Sequence, residues 1–355
     1  MIIVTIIVFL LILGLLIFVH EMGHFIAARL SGVKVEEFGM GFPPRLLAFK
    51  RGETVYSLNL IPLGGFCKLL GEEDPSEPRS LASKRPLTRL FVLGSGPLMN
   101  AVLPIVLLTI AFMIPRQVAV EDIWIEDVAP GSPAEMAGIE AGDTILGVNG
   151  HSVQNRFEVN YYVHLSLGDK TTIQLQDPDG NEKTATLVPR LDPPEGQGAM
   201  GITFSAEPVN LRTVSQSYYF WEAVPKSATS LWETFELIRN EVRGWFARGT
   251  APQVGGPVAI FQLTGEANEA GPSYLLQFAA FLSINLAIIN ILPLPALDGG
   301  RIIFVLLEVA RRGKRVSPRT EGLVHLIGFM MLIGLLLVIS YFDILRAVSG
   351  ESALP

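Results

Sequence analysis

The first thirty residues constrain the fold more than any other stretch, because an uncharged apolar run ends directly in a cluster of ionisable side chains. Residues 2–19 are eighteen consecutive uncharged residues, and the segment His20–His24, H-E-M-G-H, follows at once. As a helix rising about 1.5 Å per residue, the run matches roughly the hydrocarbon thickness of a bilayer. Ionisable groups at that depth are costly and usually functional, so the sequence predicts a membrane span that carries a site.

The H-E-x-x-H pattern has the spacing of a metal-binding helix. Two histidines four residues apart share one helix face and can bind one metal ion. Glu21 lies beside them and can take a proton from a metal-bound water, as in zinc hydrolases. A chance match is the alternative, since the pattern fixes only three positions. We nevertheless expect His20 and His24 to bind zinc and Glu21 to be catalytic. Ionisable side chains in a lipid-facing span cost free energy, and no structural role there offsets that cost.

Composition indicates a polytopic membrane protein. Of the 355 residues, 49% are hydrophobic and only 17% charged, and the mean hydropathy is +0.41. The net charge of -7 argues against nucleic acid as a partner, because phosphate binding needs a basic surface. The single cysteine, Cys67, excludes an intramolecular disulfide framework and a cysteine zinc cluster. The N-terminal run lacks a preceding basic region, is long for a signal peptide, and would lose its histidines on cleavage, so we expect a retained span.

Three further apolar stretches are long enough to cross a membrane. They are Leu90–Ile114, the proline-interrupted Tyr274–Val309, and Leu323–Phe342. Four spans place both termini on one side. Basic residues concentrate between the first two spans and in the short loop after the third, so the positive-inside rule makes both regions cytoplasmic. The metal motif is therefore expected at the cytoplasmic end of span one, with the region from Pro115 to about Gly271 outside.

A β-hairpin is predicted between spans one and two. The stretch Glu53–Phe66 alternates apolar and polar residues and turns at Gly64-Gly65. Such backbone enters a membrane only where protein covers it or water reaches it, so we predict a membrane-associated loop that lines the site. A cytoplasmic hairpin that only supports the fold is the alternative.

The region outside the cytoplasm is predicted to begin with a compact β-rich domain. Turn and hairpin signals in Pro130–Gly150 precede two strand-like runs, and a domain over Val120–Phe204, about 85 residues, is large enough to fold alone. Aromatic and apolar residues at helical spacing from Leu211 to Phe246 then predict amphipathic helices at the membrane surface. A linker helix packed on the domain is the alternative.

Two histidines do not complete a catalytic zinc site, which has three protein ligands and one open position. Asp298 is the best candidate for the third, because it is a carboxylate in the apolar third span, on backbone made irregular by two prolines and a Gly-Gly pair. His325, near the cytoplasmic entrance of span four, and Asp343, at its far end, are the alternatives. Asn285 and Asn290 of span three either hydrogen-bond across the bundle or hold a substrate backbone or the oxyanion.

These motifs, in this order, resemble those of the site-2 proteases, which are intramembrane zinc metalloproteases. The similar segments cover nearly the whole chain: His20–His24, Pro62–Gly65, Gly96–Asn100, Pro130–Gly150 and Asn290–Gly299. Within that family the chain looks like the bacterial group typified by the regulator of sigma-E protease, and Pro130–Gly150 is similar to bacterial PDZ domains.

The resemblance implies a polytopic α-helical membrane protein with four transmembrane helices, a membrane-associated β-hairpin and an inserted extracytoplasmic β-rich PDZ domain. It implies the bacterial cytoplasmic (inner) membrane, with the active site toward the cytoplasm. The expected division is span one, 1–30; a cytoplasmic or re-entrant β-loop region, 31–89; span two, 90–115; the PDZ domain, 116–206; interfacial helices and linker, 207–270; span three, 271–312; and span four, 321–345.

The resemblance also implies one zinc ion per chain, bound by His20, His24 and Asp298, with Glu21 as general base and acid. The implied role is regulated intramembrane proteolysis of single-span membrane proteins, such as anti-sigma factors already cut by a site-1-type protease, or remnant signal peptides. The PDZ domain is expected to filter substrates by size or to bind a peptide. The residues expected to contact substrate are Asn290, Asn285, Pro293, Gly64 and Gly65. Arg301 stands where the family usually has histidine, at a position that is not a ligand.

A non-catalytic metal-binding membrane scaffold or transporter with a PDZ recruitment module is the alternative of a different class. Glu21 argues against it, because metal binding needs only the ligands. A transporter would also carry ionisable residues through its spans, and span two has none between Arg89 and Arg116.

Overall fold

The chain folds into two units, and the computed structural model describes residues 2–72, 74–249 and 255–349. The first unit joins Met1–Ala111 with Val254–Pro355, and Phe112–Gln253 forms the second. The described elements in chain order are α1 (Ile2–Leu30), β1 (Val35–Arg51), β2 (Thr54–Leu69), α2 (Pro86–Met113), β3 (Arg116–Val128), α3 (Pro133–Met136), β4 (Thr144–Val148), β5 (His151–Ser152), α4 (Arg156–Leu165), β6 (Thr171–Gln176), β7 (Glu182–Leu187), β8 (Ile202–Phe204), β9 (Val209–Gln216), α5 (Phe220–Arg248), α6 (Pro257–Ala270), α7 (Pro272–Ile291), α8 (Asp298–Ala310) and α9 (Pro318–Ser349).

Four of the described helices, α1, α2, α7 and α9, are long and apolar enough to cross a membrane. Within their most apolar stretches, only 6% of α1 and of α9 is buried in the protein, against 50% of α2. Apolar side chains left uncovered along a whole helix are suited to lipid. The chain is therefore a multi-pass membrane protein in which α2 is the most enclosed span.

The predicted third span is two helices rather than one. α7 ends at Ile291, and α8 begins at Asp298. Pro293 and Pro295 stand between them and cannot continue a helix, because proline lacks the amide hydrogen and its ring clashes with the preceding turn. Asp298 thus opens a helix, whereas the sequence suggested irregular backbone at this position.

The sheet between α1 and α2 is longer than the predicted hairpin. β1 and β2 have 17 and 16 residues and pair antiparallel. Several register shifts bend the pair, so that residues 37–40 of β1 pair both with residues 55–58 and with residues 65–68 of β2. β2 packs against α1, and the hydrophobic core at this end of the unit draws on α1, β1, β2, α2 and α8.

The second unit contains a seven-stranded sheet of order β7-β6-β4-β3-β8, with β5 paired to β4 and β9 paired to β3. All of these pairings are antiparallel. Its fully buried side chains, among them Ile125, Ile173 and Leu175, form a core contained within residues 123–204. This part of the chain therefore has a hydrophobic core of its own.

The segment after that core differs from the sequence prediction of helices starting at Leu211. Val209–Gln216 is strand β9, which pairs with the first half of β3. The partner strand decides the conformation here, because backbone pairing outweighs a weak helical periodicity. A single amphipathic helix, α5, follows, and buried Asn240 on it donates hydrogen bonds to the last carbonyls of α4, His164 and Leu165, at 2.9 and 2.8 Å.

Candidate metal centre

His20 and His24 lie on the face of α1 that is turned toward α2. The two residues are only 9% and 8% exposed, and their Nε2 atoms are 3.3 Å apart. Nδ1 of His24 lies 2.8 Å from the carbonyl oxygen of Val92. Since a carbonyl oxygen can only accept, Nδ1 carries the hydrogen, which leaves Nε2 with its lone pair for a metal ion.

A stripe on α2 forms the wall behind the two imidazoles. Val92, Gly96 and Asn100 are spaced one helical turn apart and so share one face of α2. A Cβ atom at Gly96 would lie 2.3 Å from Nε2 of His24 and 2.8 Å from Nε2 of His20. Only glycine leaves room at this position for both rings.

Asp298 reaches the histidines from the first turn of α8. The loop before it is held by α9, because the amide of Ala296, which has a φ of 74°, donates to Nδ1 of His325 at 2.9 Å. A Cβ atom at Gly299 would lie 2.0 Å from the carbonyl oxygen of Leu292, so the close approach of loop and helix requires glycine. The loop therefore fixes where the Asp298 carboxylate points.

Three ligand atoms converge on one place. Oδ2 of Asp298 lies 3.0 Å from Nε2 of His20 and 3.2 Å from Nε2 of His24, and the ligand atoms of the three residues lie within 4.8 Å of one another. Zinc bound tetrahedrally at about 2.0–2.1 Å separates its ligand atoms by about 3.3 Å. The geometry and the two-histidine, one-carboxylate donor set fit zinc.

Asn100 provides an independent test of that fit. The residue is completely buried, its Nδ2 lies 3.3 Å from Nδ1 of His20, and its Oδ1 has no hydrogen-bond partner among the described residues. A His20 that binds metal through Nε2 carries hydrogen on Nδ1 and needs an acceptor there. Rotating the amide by 180° brings Oδ1 to that place. The orphaned oxygen and the ring hydrogen then satisfy each other, as a metal-bound His20 requires.

A cavity of about 400 Å³ opens onto the three ligands. Glu21 lines it, together with Cys67 of β2. The five consecutive residues 65–69 of β2 also line it. Because side chains alternate between the faces of a strand, five successive lining residues mean that the edge of β2 borders the cavity. The cavity therefore offers a carboxylate base and strand backbone groups beside the ligand cluster.

The sequence as a whole has relatives of known family. The profile of peptidase family M50 matches residues 8–335, which include all three ligands. The chain belongs to peptidase family M50. A protein of Clostridium perfringens provisionally named a zinc metalloprotease is 36% identical over 334 residues, 93% of this chain and 95% of the relative. The zinc metalloprotease RasP of Geobacillus kaustophilus is 28% identical over 425 residues, 96% of this chain and 97% of the relative.

Among solved structures, a PDZ domain is similar to part of this M50 peptidase. It is the PDZ domain of an SdrC-like protein from Listeria monocytogenes, 22% identical, covering 24% of this chain and 87% of that domain with a TM-score of 0.21. A TM-score this low assigns no fold to the second unit.

Of the five residues predicted to contact substrate, one lines the cavity of the M50 peptidase. Gly65 lines it, whereas Gly64, Asn285, Asn290 and Pro293 are not among its lining residues. Asn285 instead donates to the carbonyl of Phe281, one turn earlier on α7, at 2.8 Å. A substrate-binding role stays a prediction for Gly65 and for these four residues alike.

The two alternative ligands lie outside the cluster. His325 holds the loop before α8, as described above. Asp343 on α9 is 4% exposed, and its Oδ2 accepts a hydrogen bond of 3.2 Å from the amide of Ala259 in the first turn of α6. A carboxylate at a helix N-terminus is a stabilising cap.

A buried charge network joins α8 to the start of α2, and no motif in the sequence marks it. Glu308 on α8 pairs with Arg89 at the start of α2 and, at 3.0 Å, with Arg315 beyond α8. Arg315 also donates to the carbonyl of Ala82 at 2.8 Å, and the Arg89 and Glu308 side chains are each 8% exposed. The sequence signal for this network is Glu308 itself, the lone acidic residue in the apolar sequence that follows Arg301. A carboxylate buried there needs a cation as its partner.

Proposed function

We propose that the cavity beside α1 is the active site of an intramembrane zinc protease, a site-2 protease, that hydrolyses peptide bonds within the spans of single-span membrane proteins. The observation that carries the proposal is the convergence of His20, His24 and Asp298, from opposite ends of the chain, on one place beside Glu21 and among apolar helices. The zinc metalloprotease names of the relatives support the same chemistry.

His20, His24 and Asp298 would hold zinc through Nε2, Nε2 and a carboxylate oxygen. When bound, zinc supplies a Lewis acid that polarises the scissile carbonyl and lowers the pKa of water. The carbonyl of Val92 keeps hydrogen on Nδ1 of His24, and the amide oxygen of Asn100, with the amide rotated as described above, does the same for His20, so both rings present Nε2 in a fixed orientation.

Glu21 moves the proton. The residue shares the cavity with the ligands. Glu21 takes a proton from the attacking water and returns it to the nitrogen of the leaving amine, which would otherwise depart as a strongly basic anion.

The edge of β2 is suited to hold the substrate as an added strand. Residues 65–69 border the cavity along that edge, and a peptide that pairs with them lies next to Glu21 and Asp298. A helical substrate hides its amides in its own hydrogen bonds, so it must unwind before it can pair. Helix-weakening residues near the cleaved bond should therefore speed cleavage.

The charge distribution supports a cytoplasmic orientation of the cavity. Basic residues are frequent between α1 and α2 and again between α8 and α9, at the same end of the bundle as the motif. In this orientation the β-rich second unit, a PDZ-like domain, lies outside the cytoplasmic membrane of a bacterium. There it meets substrates such as anti-sigma factors trimmed by a site-1-type protease, and it filters them by size or binds their ends.

The test is cleavage of a single-span model substrate by the purified chain in proteoliposomes, with zinc content measured on the same samples. Glu21→Gln should keep one zinc per chain and lose activity about 100-fold or more, since it removes the base and leaves the ligands. Glu77→Gln, which neutralises an exposed glutamate away from the cavity, is the matched control. Asp298→Ala should lose zinc.

Two results would contradict the proposal. A zinc-loaded Glu21→Gln variant that cleaves at the wild-type rate excludes Glu21 as the base. Full zinc occupancy and activity in Asp298→Ala would show that another group completes the site.

A further inference from the structure

A second and larger cavity lies in the first unit, apart from the metal centre. It has a volume of about 670 Å³ and opens between the last two turns of α1 and the turn that joins β1 to β2. None of the three metal ligands lines it. The established family activity leaves this cavity without a role.

Two arginines give the cavity a positive charge. Arg29 lines it from α1, and Arg51 lines it from the end of β1. Glu53, the acidic residue in the wall, is already paired with Arg79 through two hydrogen bonds of 2.7 Å. Arg29 and Lys34 are also close enough to act on the charge of Glu53. The cavity thus has more positive than negative charge, and its one carboxylate is occupied.

The two arginines are without an ion-pair partner in the part of the chain that the structure describes. Among residues 2–72, 74–249 and 255–349, neither Arg29 nor Arg51 forms an ion pair with a carboxylate. The guanidinium of Arg29 lies over the ring of Phe25, 5.8 Å from its centre, which restrains it beside the opening. Guanidinium groups bind phosphate through paired hydrogen bonds, so two of them facing one opening favour a phosphate-bearing anion.

The rest of the wall is apolar and continues onto the lipid-facing side of α1. Ile26 and Leu30 lie one turn apart and are 43% and 76% exposed. The rings of Phe25 and Tyr56, whose centres are 6.1 Å apart, line the same cavity. A ligand that fills it must therefore join an anionic group to hydrocarbon.

The depth of the cavity in the membrane fits such a ligand. α1 has 29 residues and so extends about 43 Å, which exceeds the hydrocarbon thickness of about 30 Å. The final turn, with Arg29 and Leu30, thus reaches the headgroup layer.

We propose that this cavity binds an anionic phospholipid. Arg29 and Arg51 hold the headgroup phosphate, and an acyl chain follows Ile26 and Leu30 along α1. The occupant would brace the turn between β1 and β2 against α1, the helix that also carries the metal ligands. The proposal does not depend on catalysis.

The test is native mass spectrometry of the full chain in detergent, titrated with phosphatidylglycerol and, separately, with phosphatidylcholine. Wild type should bind the anionic lipid in preference to the zwitterionic one. The double variant Arg29→Gln, Arg51→Gln should bind phosphatidylglycerol about thirtyfold more weakly, since each surface arginine contributes roughly fivefold to anionic lipid binding. The matched control is Lys50→Gln with Arg85→Gln, which removes the same charge at exposed residues outside the cavity.

Three results overturn the proposal. Equal binding of both lipids by wild type removes the anionic selectivity, and this comparison needs no variant to fold. Equal weakening in the two double variants shows a general charge effect. Displacement of phosphatidylglycerol by millimolar inorganic phosphate or by an acidic peptide shows that the site serves a free anion or a protein segment instead.

Discussion

Replacing Gly96 by alanine tests whether α2 shapes the metal centre. The added Cβ would sit 2.3 Å from Nε2 of His24 and 2.8 Å from Nε2 of His20, the two atoms assigned to zinc. Carbon and nitrogen in ordinary contact are about 3.4 Å apart or more, close to the spacing of packed heavy atoms. One or both rings must therefore move by about 1 Å, or α2 must withdraw from α1.

The expected cost follows from the precision that the site needs. A displacement of about 1 Å at a reacting group reduces rate about 100-fold, and disturbed support of a metal ligand reduces affinity about 10–100-fold. We therefore expect Gly96→Ala to bind zinc about 100-fold more weakly, a loss of about 2.7 kcal/mol, and to cleave substrate very slowly at limiting zinc.

Gly94 supplies the matched control, because a Cβ there would meet no atom within 4 Å. Gly94→Ala makes the same chemical change on the same helix and should stabilise α2 by up to about 1 kcal/mol. Zinc affinity is measured for both variants by competition with a chromophoric chelator in detergent, and unfolding temperature reports on folding. If Gly96→Ala matches Gly94→Ala in zinc affinity and activity, the close fit of α2 to the imidazoles does not shape the site.

Two further predictions concern a buried amide and a pH-dependent ion pair. Asn100→Leu removes the hydrogen-bond acceptor for the His20 ring and should weaken zinc binding about 10–100-fold, whereas Asn100→Asp keeps an acceptor. Zinc affinity is measured by chelator competition. Equal affinities of the two variants would refute the role of Asn100 in orienting His20. In the second unit, hydrogen bonds from Arg156, at 2.8 and 2.9 Å, hold the pKa of Glu121 below its ordinary value. A carboxylate with a lowered folded-state pKa stabilises above its unfolded pKa, about 4.3, and loses that effect as pH falls through the folded value. Thermal unfolding should therefore show Glu121→Gln less stable than wild type at pH 7 and nearly equal to it at pH 2, and a pH-independent difference would contradict this.

The membrane spans could be predicted from sequence because composition alone determines where a helix can face lipid. The break in the third span could also be located from Pro293 and Pro295, but not the fact that a helix restarts at Asp298. That restart depends on a contact between backbones, in which Gly299 approaches Leu292. The conformation of β9 likewise depends on its partner strand, which local periodicity cannot reveal.

The candidate ligands could be chosen by residue type, because histidine and aspartate beside membrane spans are rare and costly. The groups that surround and orient these ligands could not be predicted in this way. Val92 contributes only a backbone carbonyl, a group that every residue has, so no side chain marks its position. The role of Gly96 depends on the distance between α1 and α2, which the sequence does not give. Glu308 pairs with Arg89, which is 219 positions away in sequence.

The separation of the ligands along the chain has a consequence in time. His24 and Asp298 are 274 residues apart. At a synthesis rate of about 5–20 residues per second, Asp298 is therefore added to the chain roughly 14–55 s after His24. During that interval the nascent chain threads into the membrane beside other newly made spans, each of which could serve as a substrate. With Asp298 as the third ligand, as proposed above, the protease stays inactive until α8 has been made. The order of translation would then keep the surrounding membrane proteins from being cut.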